Sequence, residues 1–399
     1  MTSAPPLRRT TPKHATRALH DRDAAPIPFA WHAPTVVIAA VCVMIGVYWD
    51  ISWHMSIGRD TFWTPAHLLI QAGGLVAGLT SGYVALRTTF GADAAARDAS
   101  VTFWGFRAPL GAWVCIWGCF AMVTSAPFDN WWHDAYGLDV RIISPPHTVL
   151  ALGIGAIGIG ALLLSVASQN RDAEPARQRL ASWLFIVAGA LLLMDRAVML
   201  TEFSGKNQMH GGSFYRAAML AYPMAIVMMT RASPRRWAGT LTAATYMGIM
   251  LTLMWLIQLL PATPKLGPIY QPITHMVAMA FPALLVVPAL GIDAVMQRAR
   301  LRYLLLAPLL SVVFLALLLA TEWPFASFLM TPAARNWVFN ADNFVYWLSP
   351  SGVEWSRTFV RPEPGAWPFP AQLAIAFVLG TISSYLGLWF GTWLTKVKR

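Results

Sequence analysis

Acidic and imidazole side chains recur with one spacing at two places in an otherwise apolar chain. Residues 50–67 read DISWHMSIGRDTFWTPAH, and residues 129–147 read DNWWHDAYGLDVRIISPPH. Each stretch begins with an Asp, which is followed by a His four residues later, a Gly eight residues later and a second Asp ten residues later. A Pro then stands two positions before the last His. Because six positions match in order, with one extra residue in the second stretch, we interpret the pair as a duplicated helical hairpin.

This spacing can bring one carboxylate and two imidazoles together. Residues four apart share a helix face, so Asp50 and His54 can converge. A turn capped by Thr64, with Pro65 in the first turn of the next helix, would return His67 to the end of the first helix. One carboxylate with two imidazoles suits Cu(II), Zn(II) or non-haem Fe(II). We therefore predict two metal sites, formed by Asp50, His54 and His67 and by Asp129, His133 and His147.

Other interpretations of these residues remain open. A single His in a membrane helix usually caps the helix or is hydrogen-bonded, and ionisable residues within membrane spans also form proton or ion pathways. Haem would need histidines that face each other and would leave the repeated carboxylates unexplained. Asp60 is interpreted either as a salt-bridge partner of Arg59 or, like Asp139, as a group that orients a ligand imidazole through its second nitrogen. Weaker candidates for ligands or proton relays are Asp195, Glu202, His210 and His275.

The composition indicates the elements that must position these side chains. The chain of 399 residues is 57% hydrophobic and 12% charged, whereas soluble domains carry about 25% charged residues. Apolar runs near 20 residues long can each cross the hydrocarbon core of a bilayer. We predict an all-α polytopic membrane protein of about ten transmembrane helices, built from repeated helical hairpins. The predicted spans are 34–56, 66–86, 108–126, 147–168, 181–201, 214–230, 238–260, 273–293, 303–321 and 370–394.

The net charge of +11 reflects topology rather than nucleic-acid binding. Alternate segments between the predicted spans, together with both termini, hold 20 of the 29 Lys and Arg residues. The positive-inside rule assigns these segments and both termini to the cytoplasm. The two metal sites would then lie on the periplasmic side of the cell's inner membrane.

Five regions follow from this pattern. Residues 1–33 are predicted to be a disordered cytoplasmic segment, 34–168 the duplicated metal-binding hairpins, 169–321 further transmembrane helices, 322–369 an aromatic extracytoplasmic loop, and 370–399 the last helix with a basic tail. An interfacial helix is expected near 333–348, in a loop that either anchors the last span or covers a site. Cys42, Cys115 and Cys119 lie within predicted spans and are interpreted as small buried side chains without disulfides.

The first motif resembles the signature of the C subunit of the copper membrane monooxygenases, the particulate methane and ammonia monooxygenases. The resemblance covers roughly residues 50–150 and implies that Asp50, His54 and His67 bind copper within the membrane near its periplasmic face. The family's second set has Asn, a His four residues later and a His fourteen after that. Asp129, His133 and His147 stand at this spacing, with Asp in place of Asn.

The resemblance is that of a distant relative. The first motif lies on the first span here, whereas the family has helices before it. The chain also carries about six further spans and the aromatic loop, which the family's C subunit lacks.

The sequence thus favours a copper-binding membrane protein, with iron and zinc as alternatives. If it is an enzyme, the resemblance implies a copper-dependent monooxygenase, or a subunit of one, that oxidises a small apolar substrate. The alternative is a non-catalytic protein for copper storage, delivery or cuproenzyme assembly. The expected partner is the lipid bilayer, with no nucleic acid, and both partner subunits and a homo-oligomer remain open.

Overall fold

The computed structural model describes residues 31–58, 63–136, 144–362 and 365–399. Within these residues the chain folds into twelve α-helices, numbered in chain order. They are α1 His32–Ser56, α2 Pro65–Phe90, α3 Ala94–Asp98, α4 Leu110–Tyr136, α5 Pro145–Arg171, α6 Pro175–Met199, α7 Gly212–Ala232, α8 Ala238–Ile257, α9 Val286–Arg298, α10 Tyr303–Leu329, α11 Pro350–Ser356 and α12 Phe369–Leu394. Two short 3-10 turns, Thr201–Phe203 and Pro332–Ala334, complete the helical part.

One small hairpin is the exception to helical structure in the described residues. Strands β1 (Val101–Phe103) and β2 (Phe106–Ala108) pair antiparallel between α3 and α4. Trp104 and Gly105 form the turn with φ of 48° and 81°, the positive values that a tight two-residue hairpin requires. The all-α prediction holds apart from this hairpin.

Eight of the described helices are long and apolar enough to cross a membrane: α1, α2, α4, α5, α6, α8, α10 and α12. Large apolar side chains such as Leu79, Phe90, Trp117 and Leu152 are exposed on these helices, as lipid-facing residues are. The most buried spans are α5 and α6, which occupy the centre of the bundle. The chain is therefore an α-helical membrane protein.

Two of the ten predicted spans do not meet this description. The predicted span 214–230 is helical in α7, but Arg216, Tyr222 and Pro223 make α7 less apolar than the eight. It is buried against α12, where a Cβ on Gly387 would lie 2.6 Å from the carbonyl oxygen of Met224.

The predicted span 273–293 is broken, since residues 276–285 are irregular and only Val286–Arg298 form a helix. Pro282 disfavours helical backbone at the residue before it, whereas Pro288 lies in the first turn of α9, where no amide donor is needed. Side chains of other elements hold the irregular backbone: Ser52 donates to the carbonyl of Val277 (2.5 Å), and Ser56 accepts from its amide (2.7 Å). Non-helical backbone at membrane depth requires such partners.

The aromatic loop also differs from its prediction. Helix α10 continues to Leu329, so the first part of the predicted loop 322–369 is helical. The prediction of a helix near 333–348 is wrong, because helical structure lies instead at Pro332–Ala334 and Pro350–Ser356. The Asn336 side chain accepts from the amides of Val338 and Phe339, and Asn340 adopts a φ of 54°. Both features favour turns over helix.

Close contacts between glycines and neighbouring helices fix the order of the first four spans. A Cβ on Gly46 would meet Ile70, and one on Gly73 would meet Val43, so α1 and α2 run antiparallel. Gly74 and Gly78 meet Met122 and Cys119 in the same way, which makes α2 antiparallel to α4. The contacts of Gly111 with Gly160 and of Gly118 with Gly153 make α4 antiparallel to α5. The connections that carry the two motifs therefore lie at the same end of the bundle.

Candidate metal centre

The end of α1 is shaped by the glycine of the repeated motif. Gly58 has a φ of 87° and donates from its amide to the carbonyl of Trp53 at 3.3 Å. A glycine in this left-handed conformation commonly ends a helix. The amide of Lys265 donates to the carbonyl of Ile57 at 2.8 Å. The last turn of α1, which carries His54, is therefore fixed by backbone contacts.

The start of α2 is capped as the sequence predicts. The Thr64 hydroxyl accepts a hydrogen bond from the amide of His67 at 3.2 Å, and Pro65 is the first helical residue. An N-cap of this kind fixes the first turn of the helix. The same turn thus places His67 beside the end of α1.

Three side chains converge at this hairpin. The distance from His67 Nε2 to Asp50 Oδ1 is 3.1 Å, and that from His54 Nε2 to Asp50 Oδ2 is 3.7 Å. The three residues offer ligand atoms that all lie within 4.8 Å of one another. Ligand atoms bound at about 2.0–2.2 Å to one ion lie about 3–4 Å apart, so this cluster could bind a metal ion with small side-chain movements. It is the only such group of three in the part of the chain that the structure describes.

The contacts of Asp50 fit a shared third partner. Oδ1 of Asp50 is buried and has no hydrogen-bond partner among the described residues, although His67 Nε2 lies 3.1 Å away. The two groups are thus close without the alignment of a hydrogen bond. One carboxylate with two imidazoles is a donor set that suits copper, as it suits zinc and iron.

Exposure differs across the cluster. The side chains of Asp50 and His67 are 19% and 18% exposed, whereas that of His54 is 40% exposed. One side of the cluster is therefore sheltered by the helices, and the side formed by His54 is open to the exterior. An ion could enter and leave on the His54 side.

The second motif has the same local structure as the first. Ser144 caps α5 and accepts from the amide of His147 at 3.4 Å, with Pro145 as the first helical residue. His147 Nε2 lies 3.4 Å from Asp129 Oδ1. Two of the three predicted ligands are thus brought together, while the side chain of His133 lies outside the described part of the structure.

The remaining sequence candidates lie in other surroundings. Asp60 and Asp139, predicted to orient ligand imidazoles, fall outside the described residues, as does Arg59. Asp195 lines a small cavity of about 10 Å³ between α1, α5 and α6, and Glu202 is exposed on a 3-10 turn. None of the described candidates joins the Asp50 cluster.

The two weaker histidine candidates make contacts of their own. The ring of His210 is stacked between Trp323 and Phe359, with ring centroids 3.9 Å and 3.8 Å away, and its Nε2 contacts the Trp323 carbonyl at 2.9 Å. This arrangement ties the aromatic loop to α10. His275 is exposed, and its Nδ1 contacts the hydroxyl of Thr274 at 3.0 Å.

The three cysteines are free thiols, and Cys115 is fully buried. Sequence reasoning missed two buried carboxyl groups, Asp293 on α9 and Glu322 on α10, both 0% exposed. A lone acidic residue inside an apolar run is the signal that could have found each of them.

Comparison of the chain with known protein families, with curated proteins and with solved structures finds no match.

Proposed function

We propose that this chain is an integral membrane protein that binds copper at Asp50, His54 and His67. The observation that carries the proposal is the convergence of these three side chains within 4.8 Å. The sequence resemblance to the monooxygenase C subunit supports copper over zinc and iron, as does the higher affinity that nitrogen and oxygen ligands have for Cu(II). The paired Asp129 and His147 support a second site of the same kind, completed by His133.

The proposed role of a bound copper ion follows from its number of ligands. Three protein ligands leave coordination positions open, and copper with open positions can supply oxygen chemistry. Asp50 and His67 hold the sheltered side, while His54 borders the exterior. The proposed chemistry is oxidation of a small apolar substrate that reaches the hairpin from the membrane, on its periplasmic side; dioxygen would supply one oxygen atom to the substrate, and an external electron donor would supply the two electrons that reduce the other atom to water.

Copper storage or delivery is the second candidate. It is favoured by the exposure of His54, 40% against 18% for His67, because an exposed ligand allows transfer of the ion to another protein. Substrate oxidation by the copper-loaded protein, assayed with small alkanes and ammonia, separates the candidates. Substrate oxidation that is lost in Asp50→Ala would support the oxidation function. Copper transfer to a chelating acceptor without substrate oxidation would support storage or delivery.

The binding proposal is tested on purified full-length protein. Copper is quantified by elemental analysis, and bound Cu(II) is examined by EPR. We expect Asp50→Ala and His67→Ala each to reduce the copper content, while His275→Ala leaves it unchanged. Copper content that is unchanged in both ligand variants would show that the first site is elsewhere.

A further inference from the structure

Glu322 is a carboxyl group buried inside the helical bundle. It lies on α10, a helix apolar enough to span a membrane, and its side chain is 0% exposed. Seven residues separate it from the end of α10 at Leu329, a rise of about 10 Å. Ionisable groups at such positions are costly, and they usually pair with another group or take part in proton or ion transfer.

Among the described residues, one hydrogen-bond donor reaches the carboxyl group. The amide of Leu284 donates to Glu322 Oε1 at 2.5 Å, where the irregular segment 276–285 meets the start of α9. The other oxygen, Oε2, is buried and has no hydrogen-bond partner among the described residues. No described Lys, Arg or His forms an ion pair with it, so a negative charge here is only partly compensated.

Asp293 is a second buried carboxyl group, and hydrogen bonds compensate for its burial. This carboxylate is also 0% exposed, but it accepts four hydrogen bonds at 2.7–3.2 Å. They come from the Thr230 hydroxyl, the Gly239 amide, and the amide and hydroxyl of Thr240. Asp293 thereby joins α9 to the start of α8 as a structural anion. Glu322, with one donor, lacks the contacts that such a role requires.

Tyrosine hydroxyls form the polar surroundings of Glu322. Tyr215 and Tyr222 on α7 and Tyr246 on α8 are all buried near the carboxyl group, and no hydrogen bond joins any of them to Oε2 in this structure. The Tyr215 hydroxyl also has no hydrogen-bond partner among the described residues. A phenol can accept a hydrogen bond from a protonated carboxyl group or donate one to a carboxylate.

The elements packed against α10 differ in charge, and α7 carries Arg216, the residue after Tyr215. Helix α12, which packs against α10, contains no Asp, Glu, Lys, Arg or His. On α9, the carboxylate of the acidic residue Asp293 already accepts hydrogen bonds from other groups. His210 stacks on Trp323, the residue after Glu322, and is the titratable group that a test must separate from it.

We propose that Glu322 is a proton-binding site within the membrane, and that the nearby hydroxyls of Tyr215, Tyr222 and Tyr246 offer acceptors for its proton. Uptake adds one proton from water to Oε2 and converts the carboxylate to a neutral acid, whose O–H donates to a tyrosine oxygen. Oε1 keeps its bond from the Leu284 amide in both states. The site can thus exchange a proton without breaking the contact that holds the start of α9. This proposal is independent of metal binding.

The test is infrared difference spectroscopy on purified full-length protein as the pH is stepped from about 5 to about 10, the range in which carboxyl groups inside proteins titrate. We expect a carbonyl stretching band of a protonated carboxyl group that titrates in this range and is absent in Glu322→Gln. The band should persist in the controls Asp293→Asn and His210→Asn. Absence of any titrating band that depends on Glu322 would show that its protonation does not change over this pH range and would overturn the proposal.

Two further variants keep the test decisive if Glu322→Gln does not fold. Glu322→Asp retains a carboxyl group at a shorter reach, so its band should shift rather than vanish. Tyr246→Phe removes a hydroxyl partner and should shift the band of Glu322. A band that is unchanged in both variants would contradict the assignment. Loss of the band on addition of sodium at constant pH would indicate a sodium site and would also refute it.

Discussion

Gly46 sets the distance between the two helices that carry the first site. It lies on α1, one turn before Asp50, and a Cβ there would be 3.0 Å from the amide nitrogen of Ile70 and 3.1 Å from the carbonyl oxygen of Ala66. Ordinary contact begins at 3.4 Å, so Gly46→Ala must separate the two backbones by about 0.3–0.4 Å, because backbone atoms cannot rotate away. Metal–ligand distances are held to about 0.2 Å, so Asp50 and His67 can keep a bound ion after this shift only by further side-chain movement, at a cost in affinity.

We expect Gly46→Ala to weaken copper binding by about tenfold, at the low end of the effect of losing a group that orients metal ligands. The overpacking itself should cost about 1–3 kcal/mol of stability. Copper affinity is measured by competition with a chelator of known affinity, and folding by thermal unfolding in detergent. Both copper affinity and thermal stability must be measured, because copper binding that is lost through unfolding does not test the spacing between α1 and α2.

Gly82→Ala is the matched control, since a Cβ at this position on α2 meets nothing within 4 Å. It should leave copper affinity unchanged. The reasoning is refuted if Gly46→Ala folds, shows lower thermal stability and yet binds copper as tightly as the wild-type protein. It is equally refuted if Gly82→Ala weakens binding as much as Gly46→Ala does.

Four other predictions follow from the described contacts. Asp293→Ala removes the acceptor of four buried or partly buried donors and should lower the free energy of unfolding by about 3 kcal/mol or more, measured by thermal unfolding. Ser56→Ala leaves the buried amide of Val277 unpaired and should cost about 1–3 kcal/mol, with faster hydrogen exchange at residues 276–285 as a second readout. Copper affinity should fall as the pH is lowered, because a protonated imidazole must release its proton to bind a metal; chelator competition across pH checks this. Burial lowers the pKa of Lys206, although the nearby carboxylate of Asp342 raises it in part. The unfolded chain therefore keeps this proton to a higher pH than the folded protein does. The contribution of Lys206 to the free energy of unfolding should therefore increase as the pH rises toward 10.5, the ordinary pKa of lysine. Thermal unfolding across pH should show a smaller increase in Lys206→Met.

Local signals made the first hairpin predictable. The Asp-to-His spacing of four placed Asp50 and His54 on one helix face, and Thr64 with Pro65 predicted the cap that returns His67. These features depend on residues close in sequence, whose geometry a helix and a turn dictate. The closeness of Asp129 to His147 follows from the same rules.

The broken span was not predictable from hydropathy. Residues 276–285 are as apolar as a helix would be, and their non-helical form depends on Ser52, Ser56 and Asn340, which lie far away in the sequence. Hydropathy records that a segment avoids water, but it does not record which side chains are available to satisfy its backbone. The same limitation hid Glu322, whose partner is the Leu284 amide at the end of that irregular segment.

Copper content of the wild-type protein and of the triple variant Asp50→Ala, His54→Ala, His67→Ala tests the central claim most directly. Both proteins are purified in full length, loaded with Cu(II), freed of excess metal and analysed by elemental analysis and EPR. The account predicts that the triple variant loses one copper equivalent and the EPR signal of a nitrogen-ligated Cu(II), while the signal of the Asp129–His147 hairpin remains. Equal copper content and identical spectra in the two folded proteins would contradict it.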